Sequence, residues 1–116
     1  MKIQLQGQTL RLRVDESELD ALLAGRAVSN LTPLPGIGYS EQVIELHDGA
    51  IVLVGSHAAW RAQLPRAQVQ AYVRTLPARK GLEFALASAA RPADRLLLVF
   101  EVDVRDSVRK RGRLPA

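Results

Sequence analysis

Length, composition and charge already exclude several kinds of protein. A chain of 116 residues with 47% hydrophobic and 24% charged residues suits one globular domain with its own core, and the lack of cysteine excludes disulfides, thiolate metal sites and cysteine nucleophiles. The net charge of +4 is concentrated in residues 105–116, where five basic residues accompany one acidic residue, so residues 1–104 are neutral overall.

Residues 1–104 are predicted to form one α+β domain, and the charge distribution predicts a basic, flexible C-terminal tail over residues 105–116. The N-terminal sequence MKIQLQG lacks the apolar run of a signal peptide, and no window has the length of a membrane span. These features predict a cytoplasmic, bacterial-type protein with no membrane partner.

The first 25 residues predict a hairpin followed by a helix. Apolar and polar residues alternate over 2–6 and again over 9–14, with Gly7 between them, which is typical of two strands joined by a tight turn. Asp15 begins a capping box, in which an acidic side chain three residues later completes the helix start. Gly25 is placed to end that helix in a left-handed conformation.

Three further strands are predicted before the middle of the chain. Residues 27–34 are predicted to form a short strand, and residues 33–38 are predicted to form a connecting loop rich in proline and glycine. Residues 42–47 and 50–54 flank Asp48-Gly49, a dipeptide that is among the strongest short-range hairpin signals. We therefore expect these last two strands to pair with each other.

Residues 57–64 fit either a helix, by propensity, or a strand, by alternation. The strand is preferred because Pro65 suits the first turn of the helix that follows, which has apolar residues at helical spacing over 66–76. Trp60 lies between two alanines that leave room for a large ring, so it is expected to be largely buried.

The stretch 95–104, RLLLVFEVDV, predicts the interior strand of a sheet. Its apolar residues alternate along one face and also cover the first half of the other face, and residues 82–87 supply a preceding strand. The predicted order is β-β-α-β-β-β-β-α-β-β, with seven to eight strands and two helices. Because hairpins dominate and no crossover is required, we expect a mainly antiparallel, curved sheet or partly open barrel, and no internal repeat is evident.

Four stretches resemble a family of small uncharacterised bacterial proteins, known as a domain of unknown function. They are MKIQLQGQTLRLRV, DESELDALL with Gly25 behind it, EQVIELHDGAIVLV and LLLVFEVDV. The features of that family that match are a basic N-terminal hairpin and an acidic-capped helix. The resemblance implies a compact cytosolic α+β domain and no particular activity.

A metal site is one candidate for chemistry. Glu101, Asp103 and Arg105 alternate as they would on one strand face, and the spacing is similar to the ExExK motif of triphosphate tunnel enzymes, which implies a metal-dependent phosphohydrolase. The alternative is that these charges pair with neighbours such as Arg11 and Arg13.

A nucleic-acid or anion site is the other candidate, since cations lie on the first hairpin and in the tail. The residues are Lys2, Arg11, Arg13, Arg105, Arg109, Lys110, Arg111 and Arg113.

No nucleophile, base and oxyanion donor can be combined from the sequence, so no catalytic residue and no cofactor is predicted. The preferred function is a small non-enzymatic interaction or accessory protein, with nucleic-acid binding and metal-dependent phosphohydrolysis as alternatives. Its partner would be an unknown protein or a second copy, because an open sheet leaves an edge strand that a two-fold dimer can cover.

Overall fold

A computed structural model describes residues 1–88 and 90–113 and confirms the α+β class. The ten predicted elements occur in the predicted order, and a third helix follows them. The elements are β1 Lys2–Gln6, β2 Thr9–Val14, α1 Glu16–Leu23, β3 Val28–Leu34, β4 Gly38–His47, β5 Val52–Gly55, β6 Ala59–Pro65, α2 Arg66–Val73, β7 Leu82–Ala87, β8 Arg95–Val102 and α3 Val104–Arg111.

The strands form two four-stranded sheets instead of one curved sheet or a partly open barrel. The sheet orders are β1-β2-β8-β7 and β3-β4-β6-β5, which we call sheet A and sheet B. The two central strands run parallel in each sheet, β2 beside β8 and β4 beside β6, while the outer pairs are antiparallel. The expectation that no crossover was required is therefore wrong.

A five-element unit occurs twice in the chain. The order strand, strand, helix, strand, strand describes β1 to β4 with α1, and it describes β5 to β8 with α2. Each sheet takes one strand pair from each unit, β1-β2 with β7-β8 in sheet A and β3-β4 with β5-β6 in sheet B. The topology thus contains a repeat that the sequence analysis did not find.

The start and end of α1 follow from the residues predicted to set them. The Asp15 side chain accepts a hydrogen bond from the Glu18 backbone N–H at 2.7 Å, and the Glu18 side chain accepts one from the Asp15 N–H at 3.0 Å, so the capping box is present. Gly25 has φ of 87°, where a side chain would be strained, and the chain turns there into β3.

The core lies between the inner faces of the two sheets and under the helices. Leu12 and Phe100, which are opposite each other in sheet A, are fully buried, as are Ile44 and Ala62, which are opposite each other in sheet B. Tyr72 of α2 packs edge-on against Phe100, with ring centroids 6.1 Å apart. The helices close one end of the space between the sheets.

Residues 59–65 form a strand, as preferred from the sequence, but the Asp48-Gly49 hairpin does not exist. Strand β6 lies between β4 and β5, so the Asp48-Gly49 turn joins strands that are not neighbours. Pairing of β4 with β6 buries Ile44 and Leu64, which a simple hairpin would not place together. Tertiary burial outweighs the local turn preference here.

Strand β8 ends at Val102, two residues earlier than predicted, and the chain continues as α3. The interior position predicted for β8 is confirmed, since β8 lies between β2 and β7. Among the residues that the structure describes, no helix has the length and apolar character needed to cross a membrane.

Candidate binding groove and charged clusters

An open groove lies between the two sheets, at the end opposite the helices. It has a volume of about 540 Å³. Its apolar lining comes from five strands and consists of Ile3, Leu5, Leu10, Leu53, Val54, Trp60 and Leu96. Because α1 and α2 follow β2 and β6, they cover only the far ends of these strands. The near end of the apolar interior therefore remains accessible.

Trp60 packs against the hydrophobic core, in line with the expected burial, and its exposed part forms a section of the groove wall. It lies opposite Gly55 in the β5-β6 hairpin. A Cβ atom at Gly55, where φ is 107°, would clash with the carbonyl oxygen of Ala59, so only glycine suits this turn. The turn thereby holds Trp60 at the mouth of the groove.

The polar residues of the groove floor are already hydrogen-bonded to one another. Gln42 Nε2 donates to Ser40 Oγ at 2.7 Å, and Asn30 Nδ2 donates to Gln42 Oε1 at 3.0 Å. This network satisfies the buried amide of Gln42. His57 lies at the exposed rim of the groove, and the other histidine, His47, hydrogen-bonds the Ala50 carbonyl through Nε2 at 2.7 Å.

Glu101 is held by two arginines of the neighbouring strand. Arg13 Nε donates to Glu101 Oε1 at 3.1 Å, and Arg11 Nη1 lies 3.4 Å from Glu101 Oε2. Asp103 accepts a hydrogen bond from the Asp106 N–H at 3.1 Å and caps α3, in which Arg105 lies. The three residues of the proposed metal motif therefore do not share a strand face. Residues 1–88 and 90–113 contain no group of three or more potential metal ligands.

Sheet B contains a counterpart of this charged pair. Glu45 accepts hydrogen bonds from Arg61 Nη1 at 2.7 Å and from Gln63 Nε2 at 2.9 Å. The hydrogen bond from Gln63, together with that from Arg61, lowers the pKa of Glu45 despite its partial burial. The sequence signal for this repeat is the pair Val43-Ile44-Glu45 and Val99-Phe100-Glu101, which the sequence analysis missed.

The expected flexible tail is wrong for residues 105–111, which belong to α3 and pack on α1. Arg111 donates to the nearly buried Glu16 carboxylate through Nε and Nη2, both at 2.8 Å, and Lys110 lies 2.9 Å from Asp20 Oδ2. The hydrogen bond from Arg111 lowers the pKa of Glu16, although burial opposes this effect. Ser107 is fully buried at the contact. The tail residues 114–116 lie outside the described residues.

Three of the eight predicted anion-binding residues, Lys2, Arg13 and Arg105, line one hollow, and the structure does not bring all eight together. Arg109 and Arg113 are exposed at the C-terminal end of the chain. A shallow hollow of about 420 Å³ is lined by four basic and two acidic side chains. They are Lys2, Arg13, Arg79, Arg105, Glu101 and Asp103.

Comparisons of this chain with protein-family models, with curated proteins and with solved structures return no match. The resemblance to a small bacterial family therefore stays a prediction, as does the cytoplasmic location. The groove was not predicted, because its lining residues belong to strands that meet only in the folded chain.

Proposed function

We propose that this protein is a non-enzymatic binding module whose groove takes apolar groups of a protein partner. The observation that carries the proposal is the open groove of about 540 Å³, which lies within the range of about 300–1,000 Å³ that is common for binding clefts. Binding clefts are mostly apolar with a few polar groups, and leucine side chains and Trp60 dominate this lining.

Exposure of the rim supports binding in preference to a purely structural role. The Leu5 side chain at the rim is 71% exposed, and Val54 is 42% exposed. Contiguous exposed apolar residues commonly mark an interaction surface. The polar lining residues Ser40 and Gln42 hydrogen-bond each other, which leaves the apolar side chains as the main contact surface of the groove.

Trp60 provides a direct test, since it is the one tryptophan of the chain. Titrating the dilute protein with the uncharged dye N-phenyl-1-naphthylamine should change Trp60 emission as the dye enters the groove. Leu5→Asp should weaken dye binding about tenfold or more, because it places a charge on an apolar rim.

Leu97→Asp is the matched control, since Leu97 is a partly exposed residue on the outer face of sheet A and does not line the groove. Circular dichroism should show that both variants are folded. Equal dye binding by wild type and Leu5→Asp, or an equal loss in both variants, would exclude the groove as the binding site.

Anion or nucleic-acid binding is the second candidate, and the hollow beside Lys2, Arg79 and Arg105 is the observation that favours it. Retention on DNA or RNA at about 50 mM salt should then weaken with Lys2→Glu and fall steeply as salt is added. Arg26→Glu, on the loop after α1, is the control and should have less effect. Absence of retention of the wild-type protein at this salt concentration would exclude this function.

A further inference from the structure

The tip of the β3-β4 hairpin carries exposed apolar side chains, which we call the hairpin knob. It consists of Leu34, Ile37 and Tyr39, of which Ile37 is 81% and Tyr39 is 69% exposed. Residues 32–40 include no charged side chain. A knob of this kind lacks the charged residues that usually keep a hairpin tip in solvent.

The hairpin knob and the groove lie next to each other in the chain and in the fold. Ser40 and Gln42 of β4 line the groove, and Gln42 lies opposite Trp60 of β6. The hairpin turn that carries the knob comes just before these residues, so the knob projects at the groove end of sheet B. Neither the groove lining nor the knob includes Lys, Arg, Asp or Glu. An apolar projection and an apolar recess are thus presented at one end of the molecule.

This adjacency is what a two-fold interface requires. In a two-fold dimer the same patch is used by both subunits, so that each projection faces the recess of the other copy. A projection and a recess on opposite sides would produce open chains of subunits instead. We propose that two copies of this protein associate about a two-fold axis, with the hairpin knob of each in the groove of the other.

This inference rests on the proposed role of the groove and names its occupant as a second copy of the chain. It also accounts for the exposure of Leu5 at the rim, because the dimer would cover it. Dye and knob then compete for one site. Raising the protein concentration should therefore lower the fraction of grooves that bind N-phenyl-1-naphthylamine.

Light scattering over a range of concentrations tests the dimer with two variants. Ile37→Asp places a charge on the knob, and Leu5→Lys places one on the groove rim. Each variant alone should be monomeric, or dimerise about tenfold or more weakly, since a charge would be buried in an apolar contact. Leu97→Asp should dimerise as the wild type does.

Mixing the two variants should restore dimers. One of the two contacts in the mixed dimer joins an intact knob to an intact groove, and the other joins Asp to Lys. A wild-type protein that is monomeric at all concentrations, a dimer that both variants retain, or open-ended polymers would each overturn the inference.

The Ile37→Asp variant separates this inference from the proposed function, because its groove is intact. If the wild type is monomeric but Ile37→Asp binds the dye through Trp60, the groove is a binding site and only the second copy is excluded as its occupant. If Ile37→Asp is folded and binds no dye, the proposed function fails as well.

Discussion

Three glutamate side chains are each held by hydrogen bonds from side chains of a neighbouring element. Glu101 and Glu45 each accept hydrogen bonds from two side chains of the neighbouring parallel strand, and Glu16 accepts two from Arg111. Partners of this kind satisfy the hydrogen-bonding capacity of a carboxylate within the fold.

The Glu16 contact predicts a specific loss of stability in acid. Because hydrogen bonds from Arg111 lower the pKa of Glu16 below its ordinary 4.5, the folded state binds its proton less readily than the unfolded state does. The contribution to the free energy of unfolding is therefore complete above about pH 4.5 and is lost as the pH falls through the lower folded pKa.

Arg111→Ala should lower the free energy of unfolding by about 2–3 kcal/mol at neutral pH, since it leaves a nearly buried carboxylate without its main partner. The variant should also lose less further stability between pH 5 and pH 3 than the wild type does. Urea unfolding at several pH values measures both effects. Arg109→Ala, an exposed position on the same helix, is the control, and equal losses from both variants would contradict the prediction.

At the scale of elements, the residue at the boundary between β8 and α3 fits two structures, the end of a strand and the start of a helix. Asp103 continues the alternation of β8, yet its side chain accepts from the Asp106 N–H and so begins a helix. Asp106 in turn accepts from the Glu16 N–H at 2.7 Å, at the start of α1. Two helix starts are thus joined by one carboxylate, and the basic last turn of α3 has a favourable position at the helix C-terminus.

In the molecule as a whole, each of the two sheets is built from strands of both repeated units. Strand β2 of the first unit needs β8 of the second, and β6 of the second needs β4 of the first. Neither unit can therefore complete a sheet by itself. The result should be one cooperative unfolding transition for the whole chain.

Cutting the chain at the exposed turn between Gly49 and Ala50 tests this interdependence. Fragments 1–49 and 50–116 should each be largely unfolded by circular dichroism, because each would expose both its central strands and half of the core. Mixing them should recover the spectrum of the intact chain and a cooperative melting transition. An independently folded fragment 1–49 would show that the units are separate domains.

The sequence by itself determined the elements and their order. Hairpin alternation, the Asp15 cap and the helical spacing of α2 depend on residues only a few positions apart, so a local pattern contains the required information. The sequence analysis also gave pairing of Glu101 with Arg11 and Arg13 as an alternative to a metal site, and the structure confirms this pairing.

Only the tertiary structure decided which strands pair and what they enclose. Arg13 and Glu101 meet across 88 positions of the chain, and backbone hydrogen bonds are the same for every sequence, so no local pattern specifies a parallel partner. That choice is made by the burial of side chains such as Phe100, Ile44 and Leu64 between two sheets at once. At the end of the strands that no helix covers, the packed core stops before the strands end. The space that remains there is the groove.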